Sequence, residues 1–212
     1  MVLAGCAKDT SEAARKGAQD AGFLMQVALN DFRAGRYESA LKNLEQARLK
    51  APQDRQVHYL LAVVLIERGQ YQRAVESADA GLAVAPDDPE LLNARGIARL
   101  RDRRYDEAIR DFQSALAPEK QYATPETVLA NLAAAYAGQG KTEDAVATYW
   151  KALELKPTDG MLRTALCQTL AAAGRTDVAL RECIRASTDS PSYAPAFEQK
   201  GDVLRTLGKK DD

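Results

Sequence analysis

The sequence predicts an all-α fold, a solenoid built by stacking helix hairpins. Three observations predict it. First, one pattern recurs: "GRYESALKNLEQARLKAP" (35–52), "GQYQRAVESADAGLAVAP" (69–86), "RRYDEAIRDFQSALAP" (103–118), "GKTEDAVATYWKALELKP" (140–157) and "GRTDVALRECIRASTDSP" (174–191). Second, the pattern keeps a period. Pro52 and Pro86 are 34 residues apart, as are Pro157 and Pro191. Third, no segment between these marks reads as a strand. Self-similarity at such a period is the signature of a repeat array, in which each unit buries its apolar face only against its neighbours.

Each repeat reads as two antiparallel helices, and each mark has a steric reason. Small residues fall where the helices cross most closely. They are Ala28, Ala40 and Ala47 in the first repeat, and Ala62, Ala74 and Gly81 in the second. Gly96, Ala108 and Ala115 serve the third, and Ala133, Ala145 and Ala152 the fourth. A large side chain at these places would force the helices apart. Gly35, Gly69, Gly140, Gly174 and Gly208 recur after the first helix, where a positive φ is often needed. The closing prolines cannot continue a helix interior and so end the second helix.

The frame places five repeats at 21–54, 55–88, 89–122, 126–159 and 160–193, with a further first helix at about 194–207. Residues 1–20 read as a residual signal and polar tether, and 21–212 as one repeat domain. "LAPEKQYATPET" (116–127) adds residues after the third repeat, so a longer connection is expected there. The last residues read "GKKDD". Either Ala194–Leu207 is a terminal cap or the sixth repeat is shortened. The period and its Gly, Ala and Pro marks resemble the tetratricopeptide repeat (TPR). That resemblance implies a right-handed superhelical solenoid of TPR hairpins.

Composition excludes several function classes. Lys and Arg number 29 against 30 Asp and Glu, so no excess charge draws the chain to nucleic acid. The longest apolar run, Tyr59 to Ile66, is too short to span a bilayer. Cys6, Cys167 and Cys183 make neither a CxxC pair nor a zinc-type cluster. His58 is the only histidine, and a catalytic histidine needs a positioned partner. "GQGKT" (138–142) lacks both the phosphate-loop spacing and a preceding strand. The expectation is no enzyme, cofactor, metal or small-molecule substrate.

Binding remains. In a helical-repeat superhelix the first helices line the concave side. Met25, Leu29 and Phe32 fall there in the first repeat, and Tyr59, Leu60, Val63 and Ile66 in the second. Asn93, Ile97 and Leu100 fall there in the third. In the fourth these places shrink to Ala130, Asn131, Ala134 and Ala137, so the groove there is expected to be shallow. The alternative for each apolar residue is ordinary packing between helices. An apolar groove suits an amphipathic helix or an extended apolar segment. The Lys, Asn and Arg pattern that grips a terminal carboxylate in co-chaperone repeats is mostly replaced by Leu, Val, Ile and Ala.

Leu3-Ala4-Gly5-Cys6 resembles a bacterial lipobox, in which small residues precede the cut and the thiol carries diacylglycerol. Only Met1 and Val2 precede it. Either the chain lacks most of a signal peptide or the match is accidental. A lipobox, a polar stretch "AKDTSEAARK" and then TPRs together resemble the type IV pilus biogenesis lipoproteins of the PilF/PilW/Tgl kind, which are outer-membrane pilotins. "ATPETVLANLAAAYAGQGK" (123–141) adds a local likeness, although Asn131-Leu132-Ala133 departs from the commoner Asn-Leu-Gly. The resemblance implies an outer-membrane protein facing the periplasm, lipid-anchored at Cys6. It also implies a secretin subunit as partner, escorted to the membrane and assembled there. The rival is a generic periplasm-facing TPR lipoprotein adaptor for cell-wall or outer-membrane protein assembly. In the repeat frame Cys167 takes the place of Ala28 and Ala62, and Cys183 that of Leu44 and Ala78. A hairpin brings these two places together, so a disulfide is expected in an oxidising compartment, two buried thiols being the alternative.

Overall fold

The computed structural model describes residues 3–117 and 123–208, with side chains from Arg15 onward. Eleven α-helices and no strand occur among the described residues. The chain divides into two compact units, Met1–Arg104 and Tyr105–Asp212. The division falls between the two helices of the third repeat.

The first unit holds α1 (Leu3–Arg33), α2 (Tyr37–Lys50), α3 (Arg55–Glu67), α4 (Tyr71–Val84) and α5 (Pro89–Arg101). Its core takes Leu41 and Leu44 from α2, Val57, Leu61 and Leu65 from α3, and Val75 from α4. Leu44, Leu61 and Leu65 are each 1% exposed, a burial that contributes roughly 1.5–3 kcal/mol per side chain. α1 starts upstream of position 21. A Cβ at Gly17 would lie 2.9 Å from the Lys50 carbonyl oxygen, so this stretch of α1 lies against the end of α2.

The second unit holds α6 (Tyr105–Ala115), α7 (Pro125–Gly138), α8 (Thr142–Leu155), α9 (Gly160–Ala172), α10 (Thr176–Asp189) and α11 (Ala194–Thr206). Its core joins Val146, Tyr149 and Leu153 of α8 to Leu162, Leu166 and Leu170 of α9, with Val203 of α11. The long connection expected at 116–127 runs from the end of α6 at Ala115 to the start of α7 at Pro125. Residues 118–122 lie outside the described ones.

One backbone device turns the chain after each first helix. The amide of Gly35 donates to the Phe32 carbonyl at 2.9 Å, and that of Arg36 to Asp31 at 2.8 Å. The same pair of bonds recurs at Gly69–Gln70, Gly140–Lys141 and Gly174–Arg175. This arrangement satisfies carbonyls left open at a helix end, and it demands a left-handed residue. Gly35 supplies it with φ 72°. In the third repeat Arg103 holds the place with φ 61°, the one non-glycine residue to do so among those described.

Asp54, Asp88 and Asp159 cap α3, α5 and α9 at their N-termini. The Asp88 carboxylate accepts from the amides of Glu90 and Leu91, both at 3.0 Å. The small sites read from the sequence are all buried, from Ala28 and Ala40 to Ala145 and Ala152. Gly81 shows why one must stay small. A Cβ there would come within 2.8 Å of the Leu91 methyl groups and 3.0 Å of His58 Cβ.

Candidate docking groove

The nine apolar residues placed on the concave side are all half-buried: Met25, Leu29, Phe32, Tyr59, Leu60, Val63, Ile66, Ile97 and Leu100. They are therefore neither free surface nor sealed core. Five of them meet. Leu29 and Phe32 of α1 face Tyr59, Leu60 and Val63 of α3 across a recess of about 180 Å³, with Ala28, Leu44 and Val64 as its floor. The spacing explains the meeting, because residues three and four apart share one helix face. Met25 and Ile66 pack on the core of the first unit. Ile97 and Leu100 of α5 do not line the recess.

The recess has no charged lining residue. Asp31, next to the lining residue Phe32 in sequence, is committed elsewhere. Its carboxylate accepts from Ser39 Oγ at 2.6 Å, from Arg36 Nε at 2.9 Å and from Asn43 Nδ2 at 3.1 Å. The Ser39 bond, followed by that from Arg36, holds Asp31 below the ordinary carboxylate range. The anion is thus spent on tying α1 to α2. Phe32 leans on Tyr37 with ring centroids 5.7 Å apart and planes at 60°, which fixes the end wall of the recess.

His58 is 5% exposed and its Nε2 lies 2.8 Å from the Pro52 carbonyl oxygen. It does not line the recess, so it is a packing residue of α3. Among the described residues no cluster of His, Cys, Asp or Glu is arranged to hold a metal ion. No described helix is long and apolar enough to cross a membrane. The side chain of Cys6 lies outside the described residues, while its backbone falls within α1.

Cys167 and Cys183 are joined by a disulfide between α9 and α10, with Cα atoms 5.5 Å apart and both residues 0% exposed. One turn away lies an ionic cluster that sequence reasoning missed. Arg163, 8% exposed, donates from Nη1 to Glu182 Oε2 at 2.8 Å and from Nε to Asp189 Oδ2 at 2.9 Å. Its Nη2 donates to the Pro157 carbonyl. The signal was there: the repeat frame puts Arg163 where Leu24, Leu92 and Leu129 stand.

The sequence also missed the walls around the fourth repeat. Ala130, Asn131 and Ala134 of α7 do line open space, but Tyr149 of α8 and Met161 and Leu162 of α9 complete a recess of about 310 Å³. It is larger in volume than the recess of the first unit and also more open to solvent; at these fourth-repeat places the sequence leads one to expect a shallow groove.

Known proteins bear on these features. A tetratricopeptide-repeat family model matches residues 31–96, and a second matches 127–159. A TPR repeat-containing thioredoxin of Arabidopsis thaliana, TTL4, is 32% identical over 74 residues. That match takes in 35% of this chain and 11% of the plant protein, so this chain spans about a tenth of that relative's length. Among solved structures, PilW, a widely conserved type IV pilus biogenesis factor, superposes with a TM-score of 0.82 at 23% identity, over 89% of this chain and 86% of PilW. PilF of Pseudomonas aeruginosa gives 0.77 at 19% identity, over 91% and 86%. MamA of Desulfovibrio magneticus RS-1 gives 0.71 at 21% identity, over 82% and 96%. At these identities the likeness concerns the fold. The chain carries tetratricopeptide repeats over residues 31–96 and 127–159, and its all-α fold resembles that of type IV pilus biogenesis factors.

Proposed function

We propose that the chain is a lipid-anchored pilotin, which binds a secretin subunit through the apolar recess of its first unit and promotes its outer-membrane localisation and multimer assembly. It acts by binding rather than by catalysis. The observation that carries the reading is the recess itself. Leu29, Phe32, Tyr59, Leu60 and Val63 present apolar surface with no charge among the lining residues, on a fold like that of PilW and PilF. Such a surface gains free energy when an apolar segment displaces its water. The Cys167–Cys183 disulfide supports an oxidising compartment, where such bonds persist. Lipid on Cys6 would supply the anchor, with several acyl chains holding where a single one is marginal.

The test uses the purified chain and the secretin subunit in a binding titration. Leu29→Gln and Val63→Thr weaken binding about tenfold or more, while each costs about 1 kcal/mol of stability because these side chains are half-buried. Large stability losses with unchanged binding would make both residues core and sink the groove. A wild-type chain that ignores the secretin would leave the generic periplasmic adaptor as the reading. The anchor is tested separately on the full precursor by palmitate labelling. Cys6→Ala then leaves the repeats folded and abolishes both label and membrane attachment.

A further inference from the structure

The Cys167–Cys183 bond raises a question of order. Both residues are 0% exposed, and side chains from several helices enclose them. Leu166 and Leu170 of α9 and Ala179 of α10 are themselves 0% exposed in the same apolar core. Tyr149 and Leu153 of α8 join it, as does Val203 of α11, 2% exposed. α11 packs on both α9 and α10. We propose that the bond is made while the fifth repeat is still open, by exchange with an external disulfide, and that closure of α9, α10 and α11 then fixes the redox state of the pair.

The chemistry sets the order. One cysteine thiolate attacks an external disulfide, R–S–S–R, forming a mixed disulfide and releasing one RS⁻. The second cysteine thiolate attacks the protein sulfur of that mixed disulfide and expels the other RS⁻. Two protein thiols are oxidised, and the external disulfide is reduced to two thiols. The first step needs a protein sulfur that the reagent can reach, and the closed repeat offers none. The mixed disulfide also needs room for R. Cys167 stands at the crossing site where the frame elsewhere holds Ala28, Ala62, Gly96 and Ala133, so a bulky addition there would force the helices apart. The second step needs no such room. The Cα atoms lie 5.5 Å apart, within the ordinary range for the bond, so closing the hairpin delivers one cysteine to the other.

The partner in this step is a disulfide-bearing oxidant that meets the chain before the fifth repeat closes. A chain that closes first stays a dithiol, and one that closes after exchange keeps its bond. The inference takes from the proposed function only the oxidising compartment. It needs neither the recess nor the anchor, so its failure leaves those standing.

The experiment uses the full-length Cys6→Ala chain, in which only this pair carries thiols. The chain is reduced in urea and refolded without oxidant, with helix content followed by circular dichroism. Oxidised glutathione is added, samples are quenched with iodoacetamide at intervals, and mass spectrometry reports the remaining thiols. Rates are referred to free cysteine in the same solvent. The folded dithiol oxidises at least about 100-fold more slowly than the chain in urea, because exchange waits for the repeat to open. Val203→Ala loosens α11, raises the folded rate several-fold and leaves the rate in urea unchanged. A reduced chain that folds only once oxidised supports the same order. The proposal is overturned if the folded dithiol oxidises within a few-fold of the rate in urea. A glutathione mixed disulfide that accumulates on the fully helical chain overturns it too, since the closed repeat would then admit the reagent. Equal folded rates for Val203→Ala and the parent chain overturn the part given to α11.

Discussion

The second and fifth repeats fold the same hairpin and close it by opposite means. In the second, the crossing of α3 and α4 holds Ala62 against Ala78, both 0% exposed. In the fifth, the same two places of the frame hold Cys167 and Cys183, bonded to each other. His58 in one stands where Arg163 stands in the other, and Gly81 where Ala186 stands. The second repeat coheres by close approach of backbones, the fifth by a covalent link beside a buried ion cluster. The comparison teaches that the frame fixes where two helices meet, while the chemistry of the meeting is free to vary.

The largest break is at Arg163. Arg163→Leu puts back the residue of the first, third and fourth repeats, but it leaves Glu182, 4% exposed, without its main partner. Stability falls by about 3–5 kcal/mol, read from chemical denaturation. Arg163→Leu combined with Glu182→Gln recovers most of it, because the stranded charge is gone. Equal losses in both variants would show that packing of the arginine stem, not charge, matters there.

Next is the covalent link. Cys167→Ala with Cys183→Ala recreates the alanine pair of the second repeat and costs about 3 kcal/mol in the chain-entropy model. The converse sharpens the point. Ala62→Cys with Ala78→Cys forms a second disulfide on mild oxidation, detected by mass after alkylation. Two alkylated thiols at these positions would show that the two hairpins are less alike than their shared frame implies.

Smaller effects follow at the crossing and the turn. Gly81→Ala, which installs the residue found at Ala47, Ala115, Ala152 and Ala186, costs about 1 kcal/mol net. Overpacking against the fully buried Leu91 outweighs the gain in helix propensity. Arg103→Gly is stabilising by about 0.5–1 kcal/mol, since it relieves the left-handed backbone at φ 61°. A thermal melt checks both, with opposite signs expected.

The repeat frame was legible because its marks are sites where few residue types fit. A crossing that admits only a small side chain and a turn that asks for a left-handed residue leave their trace 34 residues apart, save for the spacing of 37 between Arg103 and Gly140. Even Arg103, the wrong residue type for its turn, could be found by frame position. The first recess was legible in part, because Leu29, Phe32, Tyr59, Leu60 and Val63 follow helical spacing on two helices. Ile97 and Leu100 share that spacing but not the recess, because enclosure depends on the neighbouring helix as well. The second recess was read as shallow from α7 alone. Part of its lining comes from Tyr149 and Met161, on two later helices, and no periodicity within one helix reports them. Arg163 was visible as a departure from leucine, but its partners Glu182 and Asp189 sit in places that look like ordinary solvent-facing positions.

The disulfide also has a mechanical meaning. Its two cysteines are 16 residues apart, and the link removes that stretch from the length over which the chain can be drawn out. At about 3.3–3.6 Å per extended residue this hides some 50 Å of contour. A chain pulled from its two ends would come apart helix by helix and then stop short in the fifth repeat, where α9 and α10 remain tethered as a closed loop. Adding a reductant would release that hidden length in one step, so the fifth repeat is the place where this protein resists being unravelled.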